Sequence, residues 1–200
     1  MNHPQSILAI FDFDGTITYK DSFLDFIKFY KGKTRFWIGV AFISPVYILF
    51  RLNIISDQRA KEIVLSYFFN GESVSDFDEK CTQFGRKRIP SFIRKNALDK
   101  LMEHQNASHH IIVISASAES WLRTWCNDMK IELIGSRLEV TNGKITGKLI
   151  GKNCRGKEKV RRLKEILNPE SYDRIFAYGD SEGDKEILEI ATDPHYRLFH

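Results

Sequence analysis

Short, nearly continuous apolar runs alternate along the chain with longer stretches whose apolar positions recur at helical spacing. Ile7 to Phe13 is the first apolar run; it is predicted to be a buried strand, and the Asp-Gly-Thr that ends it predicts a loop. His110 to Ser115 reads as a second buried strand, Ile131 to Ile134 as a third and Arg174 to Tyr178 as a fourth. Helical spacing predicts one helix capped by Ser22, a second capped by Asp57 and a third from Ser75 to about Arg88. Further helices are predicted over Phe92 to Gln105, Glu119 to Met129, Arg155 to Leu167 and Lys185 to Ala191. Asn142-Gly143 is a favoured two-residue hairpin turn.

Strands separated by helices imply an α/β fold with a parallel sheet covered on both faces, whose sites lie at the carboxyl ends of the strands. Three polar clusters fall at such ends: Asp12 to Asp14, Ser115 to Ser117, and Asp180 to Asp184. The helical block between the first two strands is too long for one crossover and reads as an inserted helical cap. Residues 1–16 and 96–200 are accordingly expected to form the core, and residues 17–95 the cap.

Composition narrows the classes. Hydrophobic residues at 42% and charged residues at 28% describe a globular chain of one domain with a modest insertion. The net charge is +4, and the cations concentrate between Lys152 and Lys164 without a nucleic-acid motif, so no nucleic-acid partner is expected and most of that run reads as a solvated helix face. Cys81, Cys126 and Cys154 are odd in number and lack a Cys-x-x-Cys pair, which argues against a disulfide framework or structural zinc. No secretory signal is apparent, and a cytoplasmic location is expected.

Asp12 and Asp14 flank Phe13 on a chain leaving a strand, so both carboxylates reach one crevice while Phe13 points into the core. A divalent cation would relieve their repulsion and keep Asp12 ionised, as a carboxylate nucleophile requires. Alone, the pair is equally a set of turn-forming acids. The acids of Asp180 to Asp184 supply hard oxygen donors suited to magnesium. Ser115 offers a hydroxyl and nearby backbone N–H groups for phosphoryl oxygens.

Asp12-Phe13-Asp14-Gly15-Thr16, Ser115, Lys157 and Gly179-Asp180 with Asp184, in that order, resemble the four motifs of the haloacid dehalogenase superfamily. The insertion after the first strand points to subfamily IB, whose familiar member is phosphoserine phosphatase. The resemblance implies a Rossmann-like core and a magnesium-dependent phosphatase. Asp12 would form an aspartyl-phosphate, Asp14 would be general acid and base, and Ser115 and Lys157 would bind phosphate. Magnesium would be held by Asp12, the backbone carbonyl of Asp14, and Asp180, with Asp184 supporting. Lys157 is selected among neighbouring cations by family spacing. Asp21 lies nearest the glutamate that recognises substrate in phosphoserine phosphatases, and Arg51 and Arg59 are the candidates for their cap arginine. A catalytically silent binding protein of the same fold is a different class, against which the completeness of the motifs argues.

Phe36 to Phe50 has fifteen residues and no charge, is bracketed by Lys31, Lys33, Arg35 and Arg51, and is interrupted by Pro45. Three readings compete: a buried cap helix, a segment lying on the inner face of a membrane, and a membrane span. The substrate is expected to be a small phosphorylated metabolite, with the phospholipid head group of phosphatidylglycerophosphate as the alternative. His109 and His110 are expected at the surface, and Trp121 and Trp125 in the core.

Overall fold

The structure, a computed structural model, describes residues 6–200; residues 1–5, the start of the expected core, lie outside the described residues. Strand β1 (Ile7–Phe11) is central in a five-stranded sheet with β2 (His110–Ala118), β3 (Glu132–Ser136), β6 (Arg174–Gly179) and β7 (Asp193–Tyr196), in the order β3-β2-β1-β6-β7. Every pairing is parallel. Alternation along β1 sends Ala9 and Phe11 into one apolar layer and Leu8 and Ile10 into the other, so both faces of the sheet are covered.

The expected α/β architecture is therefore present, with differences at the edges of elements. The helix α1 (Ser22–Arg51) breaks at Gly32, whose φ of 78° and ψ of 162° are not helical. Its cap is Asp21, accepting from the Leu24 N–H, and the cap of α2 (Asp57–Phe69) is Ser56, accepting from the Arg59 N–H; each lies one residue before the position expected. Helix α3 (Val74–Lys87) is followed by a 3₁₀ turn, Ile89–Phe92, so α4 (Lys95–Asn106) begins three residues later than its apolar period suggested. Strand β7 was not legible, because Asp193 and Pro194 are poor strand formers tolerated at a sheet edge.

Helix α3 packs on α5 (Glu119–Asp128), where a side chain at Gly85 would collide with Thr124. The second half of α1 packs on α2, with Gly39 allowing the close approach of Phe68. The expected hairpin forms from β4 (Leu138–Thr141) and β5 (Lys144–Leu149) around Asn142 and Gly143, both at positive φ. It docks on the C-terminal end of α2, where the Gly71 N–H donates to Ile145 and the Ile145 N–H to Glu72. Helices α6 (Lys157–Ile166) and α7 (Lys185–Glu189) cover the opposite face of the sheet.

Candidate active site

The carboxyl ends of β1, β2 and β6 bring the three polar clusters together in a cavity of about 410 Å³, within the range of small-molecule sites. Strand β1 delivers Asp12, whose N–H donates to the Tyr178 carbonyl across the sheet. Phe13 turns into the core against Trp125, and the chain then reverses through Gly15, at φ +87°. A Cβ on Gly15 would lie 2.4 Å from an oxygen of Asp180, so the glycine allows the first and last motifs to meet.

Asp12, Asp180 and Asp184 offer carboxylate oxygens within 4.8 Å of one another. Asp184 is fully engaged: one oxygen accepts from Lys159 at 2.6 Å, the other from the Ser181 N–H and hydroxyl at 3.0 and 2.8 Å. Gly179 lets it approach, since a Cβ there would lie 2.5 Å from that of Asp184. Burial drives the Asp184 carboxyl upward, but the Lys159 ammonium and the Ser181 donors prevail and leave it below its ordinary value. Burial also raises Asp180, with the Asp184 charge adding to the effect. Asp12 is pushed up to about 8, by burial first and then by the charges of Asp184 and Asp14, with Lys159 opposing. Burial and mutual repulsion thus hold Asp12 and Asp180 toward their neutral forms, which a cation bound among the three carboxyl groups would reverse. Hard oxygen donors at this separation suit magnesium, so the donor set fits that ion.

Lys159, not Lys157, supplies the cation. Its Nζ lies 2.5 Å from Asp12 and 2.6 Å from Asp184, and the residue is 2% exposed. Burial alone would lower its pKa, but the two carboxylates raise it, so it stays charged. Lys157 is exposed at the first turn of α6 and borders a separate surface hollow with Glu158 and Arg161. Two residues along a helix turn the side chain by roughly 200°, so only one of these lysines can face the sheet. The helical period held the signal, because Lys159 shares a stripe with buried Arg162 and Leu163. The remainder of the basic run divides in the same way, Arg161 and Lys164 being exposed.

Asp14 faces a different set of donors. One oxygen accepts from the Ser22 N–H at 2.6 Å, in the first turn of α1, and the other from the Ser117 hydroxyl at 2.6 Å. Ser115 sits 3.5 Å from Asp14 and accepts from the Ser117 N–H at 3.0 Å, where the β2–β3 register shifts. The indole of Trp121 donates to the Ser22 hydroxyl, which is 3.0 Å from that of Ser117. Since Ser117 donates to Asp14, Ser22 donates to Ser117, and the relay ends on the carboxylate. Burial, then the Asp21 charge, raise Asp14 to about 6 against these donors. A carboxyl at that value can give up and take back a proton near neutrality. In the sequence Ser22 reads only as a helix cap and Ser117 only as part of the polar cluster that ends a strand; neither is assigned a place beside Asp14, since a lone serine carries no local signal for it.

Asp21 lines the cavity, whereas Arg51 and Arg59 are exposed and do not border it. The insertion contributes Lys61 instead, which donates to the Ala116 carbonyl at 2.8 Å and to Asn153 at 2.9 Å. Arg155 also borders the cavity, 3.6 Å from Asp57. Phe23, Ile43, Val46, Tyr47, Phe50 and Val64 form an apolar wall above the acids. His109 contacts His104, and His110 contacts Tyr172 and Glu132, both away from this site. Trp121 and Trp125 are buried.

The family model described as haloacid dehalogenase-like hydrolase matches residues 9–189. Protein CicA of Caulobacter vibrioides is 33% identical over the whole of this chain and 89% of its own length. Among solved structures, a protein of unknown function from Bordetella pertussis Tohama I has a TM-score of 0.79 at 19% identity, covering 94% of this chain and 88% of its own. A phospho-aspartyl intermediate analogue of phosphoserine phosphatase has a TM-score of 0.66 at 17% identity, covering 94% and 84%. At these identities the two structures share the fold.

Proposed function

The chain belongs to the haloacid dehalogenase-like hydrolase family, and from that premise we propose that it is a magnesium-dependent phosphatase that hydrolyses phosphate monoesters through an aspartyl-phosphate on Asp12. The observation that carries this reading is the convergence of Asp12, Asp180 and Asp184 on one another, with Lys159 bridging Asp12 and Asp184 and with Asp14 beside them on separate donors. An Asp12 oxygen attacks phosphorus while the bond to the leaving alcohol breaks, and Asp14 protonates that oxygen. Asp14 then takes a proton from water, the resulting hydroxide displaces Asp12, and inorganic phosphate leaves.

The Lys159 ammonium meets charge on the equatorial oxygens, and Ser115 orients the phosphoryl group with nearby backbone N–H groups. Asp12, Asp180 and the Asp14 carbonyl would hold magnesium, with Asp184 in support; when bound it supplies the positive charge that lets a phosphate approach a carboxylate. The relay from Trp121 through Ser22 and Ser117 holds Asp14 in place between its two proton transfers.

Residues 17–95 act as a cap that excludes water during transfer, held to the core by Lys61 and Asp57 on Asn153. The substrate is a small phosphorylated metabolite; a phospholipid head group is the second reading, favoured by the apolar wall of the cavity. Hydrolysis of p-nitrophenyl phosphate should require added magnesium and vanish in Asp12→Asn. Undiminished turnover in that variant would remove Asp12 as nucleophile.

A further inference from the structure

The second half of α1 is apolar on all sides. Phe36, Gly39, Ile43, Val46 and Phe50 turn toward α2 and the cavity, yet the other face carries Trp37 at 60% exposure, Phe42 at 72% and Ile48 at 57%. Leu52 and Ile54 extend that face at 63% and 65% exposure. A helix apolar all round is normally covered on every side, and an exposed patch of this kind marks a binding surface. Lys33 and Arg35 at one end of the arm, and Arg51 and Arg59 at the other, are exposed. The same arm therefore presents an apolar face framed by cations on the outside and walls the acidic site on the inside.

We propose that the arm from Lys33 to Ile54 docks flat on an anionic phospholipid bilayer and delivers to the cavity a phosphate monoester borne on an amphiphile. The cations at both ends complement an anionic surface, while Trp37, Phe42 and Ile48 enter the boundary between head groups and acyl chains. The helix is long and apolar enough to cross a membrane by length and composition. A flat orientation fits better, because a crossing would strip Gly39 from Phe68 of α2 and open the wall that Ile43, Val46 and Phe50 give the site. That wall receives the apolar portion of the substrate as it leaves the bilayer. The docking half stands on the arm alone; the substrate half rests on the phosphatase reading.

The test uses the whole chain and phosphatidylcholine vesicles with and without phosphatidylglycerol. The protein should pellet with the anionic vesicles, less at high salt, and weakly with the neutral ones. Trp37→Glu with Phe42→Glu, both outside the cavity, should cut pelleting by at least about tenfold, with an unchanged thermal midpoint. The same pair should keep its rate on p-nitrophenyl phosphate and lose hydrolysis of phosphatidate carried in the vesicles. Failure of the wild type to pellet, or equal pelleting of the variant, would overturn the docking surface. Resistance of bound protein to alkaline carbonate would replace it by a span, and a dimer dissociated by the same substitutions without vesicle binding would replace it by a second copy. Pelleting without hydrolysis of either phosphate would leave the surface standing and remove the phosphatase reading.

Discussion

Replacing Lys159 by methionine keeps most of the side-chain volume and removes the ammonium that joins Asp12 to Asp184 at 2.5 and 2.6 Å. Breaking a buried pair costs about 3–5 kcal/mol, because an uncompensated charge stays behind. The two orphans differ. Asp12, already pushed up to about 8 with Lys159 in place, is mostly protonated at neutral pH and rises further without the ammonium, so it leaves no orphaned charge. Asp184 loses the Lys159 ammonium that chiefly offsets its burial and keeps only the Ser181 N–H and hydroxyl as named donors, so it is the carboxylate left with a charge to accommodate. One orphaned carboxylate rather than two places the loss near the lower end, about 3 kcal/mol. Catalysis loses the charge on the transferring phosphoryl group, a drop in kcat of about 10²–10³. Urea unfolding in the absence of magnesium and p-nitrophenyl phosphate hydrolysis in its presence read the two effects. Lys157→Met is the control, expected within about 0.5 kcal/mol and with unchanged kcat, as for an ordinary surface substitution. If Lys157→Met lost activity while Lys159→Met kept both activity and stability, the assignment of the cation would be wrong.

Three further outcomes are expected. Magnesium at about a hundred times its Kd should stabilise the protein by about 2.7 kcal/mol, raising Tm by roughly 5–10 °C; Asp180→Asn should abolish most of that rise, and a wild-type Tm indifferent to magnesium would refute the site. Ser117→Ala removes a hydrogen bond that holds Asp14 ionised, so the pKa of Asp14 should rise and the limb on which kcat/KM falls with increasing pH should move up by about one unit; movement downward would contradict Asp14 as the acid. His104 is lowered from 6.5 to about 4, by burial and then by His109. Above that window neither state binds its proton; as pH falls through it, the unfolded chain takes the proton first. Acidification should therefore cost up to about 3 kcal/mol, and the urea midpoint of His104→Gln should fall less steeply than that of the wild type; parallel slopes would exclude His104 as the cause.

The local order of the chain was enough to read the parallel α/β core and the ends of its strands as the place for chemistry, because both follow from periodicity along a strand or helix. Asp12, Asp14, Asp180 and Asp184 were legible for the same reason: each sits within a few residues of an apolar run that must be buried. The residues that completed the site come from elements whose orientation depends on partners far away in the chain. Lys159 and Lys157 differ only in which side of α6 rests on the sheet. Ser117 and Ser22 meet Asp14 because an irregular strand end and a helix start happen to abut. Whether Phe36 to Phe50 is buried could not be decided from its lack of charge, since a core helix and a surface helix compete on composition alone. Packing against α2 covers one side of it and no more, which leaves the other side for a partner outside the molecule.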